Sequence, residues 1–88
     1  MYTLKYSKKA LKQLSKLDRG VQGFLLSWID KNLLDCEDPR AKGKSLTAND
    51  SGLWRYRVGD YRILCSIEDE CLLILVVAVG HRKEIYEA

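Results

Sequence analysis

The feature that most constrains this chain is a pair of alternating apolar/polar runs, Trp54-Arg55-Tyr56-Arg57-Val58 and Tyr61-Arg62-Ile63-Leu64, set around Gly59-Asp60. Two strand-like runs separated by two turn-forming residues predict a β-hairpin. With the turn at Gly59-Asp60, Val58 pairs with Tyr61 and Arg57 stands directly opposite Arg62. Side chains alternate along a strand, so Arg55, Arg57 and Arg62 share one face. Trp54, Tyr56, Val58, Tyr61, Ile63 and Cys65 share the other. Like charges facing each other across a sheet are destabilising. An anion lodged between them relieves that repulsion, and the commonest biological polyanion is nucleic acid.

The rest of the chain supplies what such a hairpin needs for a core. Met1 to Tyr6 alternates and is rich in strand formers, which predicts a first strand. Ser7 reads as the N-cap of a helix whose apolar stripe is Ala10, Leu11, Leu14 and Leu17. Asp18 caps a second helix with the stripe Val21, Phe24, Leu25, Trp28, Ile29 and Leu33, and Gly20 eases the short joint between the two. From Asp35 to Gly52 the periodicity lapses, and Pro39, Gly43, Asn49, Ser51 and Gly52 mark a loop. Arg40, Lys42 and Lys44 make that loop locally basic. It reads either as a solvated connection or as a path for a strand of RNA. Tyr61 to Ile67 runs into the acidic turn Glu68-Asp69-Glu70, and Cys71 to Val79 is nearly all apolar, as expected of a central strand covered on both faces. The predicted class is α+β: an N-terminal strand, a two-helix hairpin covering a sheet, then a three-stranded antiparallel meander.

Eighty-eight residues suit one domain, spanning 1–88. The net charge of +3 is only mildly basic, so an anion site must come from local arrangement and not from bulk charge. Three cysteines, an odd number, and the lack of an apolar leader point to a reducing, cytoplasmic setting. Cys65 and Cys71 could meet across a hairpin, but buried free thiols are the preferred reading. The cysteines show no CxxC spacing and His81 is the single histidine, so no metal site is expected. No run is long enough for a membrane helix. There is no phosphate-binding glycine loop, no nucleophile elbow and no carboxylate cluster fit for two-metal catalysis, so no metal or small-molecule cofactor is expected.

Arg62 is the leading candidate for chemistry. The competing reading is a surface arginine paired with Glu68 or Asp69. Arg57 opposite it, Arg55 nearby and the absence of acids on that hairpin face favour an anion site. The second candidate is the tail His81-Arg82-Lys83-Glu84-Ile85-Tyr86, which leaves a buried strand through Gly80. It reads either as a solvated C-terminus or as a functional segment. Histidine is the side-chain type best suited to proton transfer near neutral pH, which singles out His81, and Tyr86 offers a flat ring for stacking. These parts suit RNA cleavage, because RNA carries its own nucleophile in the 2′-hydroxyl and the protein need only orient it and neutralise developing charge.

The segments Leu53 to Ile63 and Val79 to Tyr86, with the Asp38-Pro39-Arg40 turn, Gly43-Lys44 and the strand-plus-two-helices beginning, resemble the RelE/ParE superfamily of toxins. The resemblance covers nearly the whole chain. It implies the compact RelE-like fold of the microbial-ribonuclease type and a toxin of a type II toxin–antitoxin pair. It further implies ribosome-dependent cleavage of mRNA in the A site by metal-free 2′-hydroxyl attack, and an inhibitory antitoxin as partner. On that likeness Arg62 and Arg82 fall on phosphate and transition-state arginines, and Tyr86 on the tyrosine that stacks on or aligns the mRNA. Arg55 and Arg57 fall on basic RNA-contacting positions that are lysines in the best-known member, with Lys42 and Lys44 beside them as further RNA-binding residues. Arginine is a poor proton acceptor, so His81 is the substitute base. A ParE-like toxin that traps DNA gyrase without nuclease activity is the alternative, and a toxin reduced to antitoxin binding a third.

Overall fold

The computed structural model describes residues 1–45 and 52–81. In chain order they form β1 (Thr3–Tyr6), α1 (Lys8–Ser15), α2 (Arg19–Asn32), β2 (Lys44–Ser45), β3 (Leu53–Val58), β4 (Tyr61–Glu68), a 3₁₀ turn (Asp69–Cys71) and β5 (Leu73–His81). The sheet order is β1-β5-β4-β3-β2. The expected strand, helical pair and antiparallel meander are all present. Two features go beyond the expectation: β1 lies parallel to β5, and the two-residue β2 extends the sheet past β3. Neither is visible as periodicity, because a parallel partner is chosen by the crossover and two residues are too few to show alternation.

Both helices begin where their caps predict. Ser7 Oγ accepts from the Ala10 amide at 3.0 Å, and Asp18 Oδ2 accepts from the Gly20 amide at 3.1 Å. The β3–β4 turn also follows its sequence. Gly59 has φ +62° while Asp60 keeps a negative φ, the arrangement of a turn with glycine at its first central position. Val58 pairs with Tyr61, and Arg57 with Arg62.

The core lies between one sheet face and the helices. Tyr56, Ile63, Cys65, Ile74, Val76 and Val79 meet Ala10, Leu14, Leu25, Ile29 and Leu33 there. The apolar stripes are narrower than the sequence suggests. Leu11 and Phe24 are each 54% exposed. Leu11 follows Ala10 by one residue and so points a quarter-turn away from β5. Phe24 flanks the hairpin turn, where a Cβ on Gly59 would stand 3.5 Å from its ring. The expectation of buried thiols also needs correction. All three cysteines are free and Cys65 is buried, its thiol pushed up to about 12 by desolvation, but Cys71 in the 3₁₀ turn is exposed.

Strand β5 outruns β1, whose last pairing is Tyr6 with Val76. The β5 edge beyond that point would present unpaired backbone groups. Side chains of α1 and its cap meet them instead. Ser7 Oγ donates to the Val77 carbonyl at 3.0 Å, and Gln13 Oε1 accepts from the Val79 amide at 2.7 Å. Ser7 thus serves both the helix start and the strand edge.

Ser7→Ala should lower unfolding free energy by about 1–2 kcal/mol, the upper part of the range for losing a cap. Gln13→Leu should cost a similar amount, roughly 1–2 kcal/mol, because it strands the Val79 amide. Urea unfolding should show a lower midpoint with an unchanged m-value; a shifted m-value with an unmoved midpoint would contradict the edge-covering role.

Candidate nucleic-acid interface

Register decides which cations meet. Cross-strand partners lie on the same face of a sheet. Arg57 is paired with Arg62, and on the other side of β3 Lys44 is paired with Arg55. Two like-charged pairs therefore sit side by side on the face away from the helices. Arg62 has Gly80 as its neighbour on β5, and Arg55 has Leu64 on β4. Leu64 and Ala78 are buried here outside the main core cluster, and Arg62 is only 5% exposed. The enclosed position of Arg62 reduces solvent screening of its charge, so an anion arriving beside it feels more of its field than at an open surface.

A cavity of about 650 Å³ opens at this place, lined by Trp28, Lys42, Gly43, Lys44, Arg55, Tyr56, Arg57 and Arg62. That volume lies within the roughly 300–1,000 Å³ usual for ligand sites. Five of the six hairpin and loop cations named from the sequence, Arg55, Arg57, Arg62, Lys42 and Lys44, line it together, and Arg40 does not. No acid is among the described lining residues. Arg82 and Tyr86 lie outside the described residues. His81 is placed elsewhere. It pairs with Tyr61 and packs edge-on against that ring at 5.5 Å, on the helix-side face, while Arg57 and Arg62 point to the opposite face.

The loop carrying Lys42 and Lys44 is pinned from beneath by β3. Trp54 Nε1 donates to the Lys42 carbonyl at 2.6 Å, and the buried Tyr56 hydroxyl donates to the Pro39 carbonyl. Burial pushes the Tyr56 phenol far up, so it remains a neutral donor. Gly43 (φ +83°) runs so close to β3 that an added Cβ would collide with the Arg55 carbonyl and stand 2.7 Å from Trp54 Nε1. The sequence pattern puts Trp54 on the apolar face of the hairpin, Trp28 on the apolar stripe of α2 and Gly43 in a loop. Their part in shaping the cavity was not readable, because a stripe residue at the margin of a core looks like any other.

Arg40 belongs to the same basic loop but is withdrawn from the cavity. Its Nη1 and Nη2 donate to Asp69 Oδ1 and Oδ2 at 2.9 and 3.1 Å, and its guanidinium lies 5.9 Å from the Trp54 ring centroid. Tyr2 also donates to Asp69 Oδ1, at 2.8 Å. The bonds from Arg40, then that from Tyr2, hold the Asp69 carboxyl below the usual carboxylate range. Asp69 thus neutralises Arg40, and the acid on which the surface-pair reading of Arg62 partly rested is engaged there. Among the described residues, no group of three or more His, Cys, Asp or Glu side chains comes together as a metal site, and no helix is long and apolar enough to cross a membrane.

Comparison with known proteins places this geometry in context. The family model for the ParE toxin of type II toxin–antitoxin systems matches residues 4–86. Toxin RelG of Mycobacterium tuberculosis is 29% identical over 85 residues, covering 97% of this chain and 95% of the relative. A putative RelE-like toxin protein of Escherichia coli is 31% identical over 83 residues, covering 93% of this chain and 84% of its own length. Among solved structures, the toxin–antitoxin complex RelBE2 from Mycobacterium tuberculosis superposes with a TM-score of 0.82 at 28% identity, over 92% of this chain and 91% of that one. The isolated Escherichia coli RelE toxin gives a TM-score of 0.73 at 26% identity, over 99% and 93%.

Two outcomes are expected. Gly43→Ala should destabilise the fold by about 1–3 kcal/mol, since both the left-handed backbone and the contact with β3 resist a side chain. Thermal denaturation checks it, and an unchanged midpoint would contradict the close approach. The Asp69 contribution is fully present above the ordinary carboxylate value of 3.8 and is lost as pH falls through its lower folded value. Asp69→Asn should therefore be less stable than the parent near neutrality, with the gap closing below about pH 4 in acid titrations of stability.

Proposed function

The chain belongs to the RelE/ParE superfamily and is a toxin of a type II toxin–antitoxin system, and we propose that it is an endoribonuclease that inhibits translation by cleaving mRNA in the ribosomal A site. The observation that carries this reading is the convergence of Arg55, Arg57, Arg62, Lys42 and Lys44 on one cavity, with two like-charged pairs held face to face. A sugar–phosphate strand is a fitting occupant, because successive phosphates can lie between successive cation pairs.

In the proposed reaction the 2′-oxygen attacks the adjacent phosphorus and its proton is removed. The bond from phosphorus to the 5′-oxygen breaks, that oxygen takes up a proton, and a 2′,3′-cyclic phosphate is left. Arg62, enclosed by its neighbours, is suited to stabilise the extra negative charge of the pentacoordinate state, with Arg57 beside it. Arg82 and Tyr86 supply, by the family likeness, a further cation and the ring that aligns the strand. His81 was the sequence-derived base, yet it faces the helix side of the sheet in this structure. The rate is therefore assigned chiefly to charge neutralisation and to the orientation of the 2′-hydroxyl by the bound strand.

The solved RelBE2 and RelBE neighbours are toxin–antitoxin complexes, which supports a cognate antitoxin as the inhibitory partner here. The cytoplasm, where ribosomes and mRNA lie, is the proposed site of action. The matching family model is that of ParE toxins, and this favours one other reading, gyrase inhibition without nuclease activity. The cationic cavity ranks it second.

Mapping 5′ ends on translated mRNA should reveal breaks at A-site codons. Arg62→Ala should slow cleavage by about 10²–10³-fold, and Arg62→Lys should restore little, since the paired geometry of a guanidinium is lost. Supercoiling by purified gyrase should be unaffected. Undiminished cleavage by the Arg57→Ala, Arg62→Ala double variant, or trapping of gyrase on DNA, would overturn the nuclease reading.

A further inference from the structure

The cavity is not confined to the cationic face. Arg55, Arg57 and Arg62 point away from the helices, whereas Tyr56 points into the core and meets Trp28 of α2 with ring centroids 5.5 Å apart. Both sets line the same cavity. It can do so because β2 covers β3 only at Trp54 and Arg55, leaving the edge from Tyr56 to Val58 without a strand neighbour among the described residues. Arg55, Arg57 and Arg62 from one face of the sheet and the partly exposed indole of Trp28 from the other thus line one cavity beside that edge.

We propose that the Trp28 end of the cavity is a stacking site for one unpaired nucleobase of a single-stranded RNA whose phosphates lie along Arg55, Arg57 and Arg62. The proposal rests on the reading of this cavity as an RNA site and adds a base-binding position to it. An indole face stacks on any base, while guanidiniums hold only the backbone. A strand drawn around a sheet edge is bent, and bending unstacks a base from its neighbours and leaves it to find a new ring. The tilt of Trp28 against Tyr56, 54° between planes, keeps Tyr56 as a buttress instead of a competing stacking partner.

The test uses the full chain and short 2′-O-methyl oligoribonucleotides, which cannot be cleaved and so separate binding from nuclease activity. With both tryptophans replaced by fluorotryptophan, the Trp28 resonance, assigned through Trp28→Phe, should move in fluorine NMR on titration. Trp28→Leu keeps an apolar side chain in place but removes the π-face, and it should weaken binding about tenfold with the salt dependence unchanged. Trp28→Phe should restore most of that loss. One abasic position in the oligonucleotide should cost the parent protein the same factor and cost Trp28→Leu nothing further. Tight binding with an unmoved Trp28 signal, or equal abasic losses in parent and Trp28→Leu, would overturn the stacking site and leave the phosphate site standing. Failure of any oligonucleotide to bind would overturn both.

Discussion

Burial of one sheet face, strong enough to hold cations opposite one another on the other face, is the constraint around which this molecule is organised. Arg57 opposes Arg62 and Lys44 opposes Arg55. Each such pair costs on the order of 0.2–1 kcal/mol. The opposite face outweighs that cost. Tyr56, Ile63 and Cys65 are fully buried there, and each large apolar side chain buried contributes roughly 1.5–3 kcal/mol. The core thus dictates the register, and the cations must accept the places it gives them. A slip of one residue would bring the arginines into the core, so their convergence is as secure as the hydrophobic packing itself.

The same strand also builds the wall of the cavity. Trp54 and Tyr56 reach from β3 to the carbonyls of Lys42 and Pro39, and Gly43 lies against the β3 backbone. Arg40, bound to Asp69 and lying over Trp54, secures the outer end of this loop. One basic residue is spent on structure so that two others, Lys42 and Lys44, are held at the rim.

Much of this was legible in the sequence because it follows from local rules. Glycine followed by Asp60 set the turn, and the turn fixed the pairing of Arg57 with Arg62. Ser7 and Asp18 fixed the helix starts. What escaped was decided by tertiary contacts. Leu11 and Phe24 look like core by spacing but stay half exposed, Leu11 turned away from β5 and Phe24 beside the hairpin turn. The place of Trp28 at the cavity depends on β2 pairing with β3 only at Trp54 and Arg55 among the described residues, and the fate of Arg40 on a carboxylate 29 positions away in sequence. His81 was chosen for its chemistry, and chemistry does not reveal the face of a sheet on which a residue stands.

That last point has a definite origin. The pairing of β4 with β5 shifts between Leu64 and Cys65, so that Leu64 meets Ala78 while Cys65 meets Val76, and Val77 stands unopposed. Before this bulge the even-numbered residues Ile74 and Val76 turn inward; after it the odd-numbered Val79 does. The all-apolar run of β5 conceals a change of parity that ordinary alternation would never allow. One surplus residue thereby seats a bare glycine against Arg62 and sends the imidazole to the far side. Regular pairing that kept Val77 in the ladder opposite Leu64 would exchange the two, so arithmetic along a single strand, and no alteration of side-chain type, sets whether this toxin's lone histidine shares a chamber with its arginines.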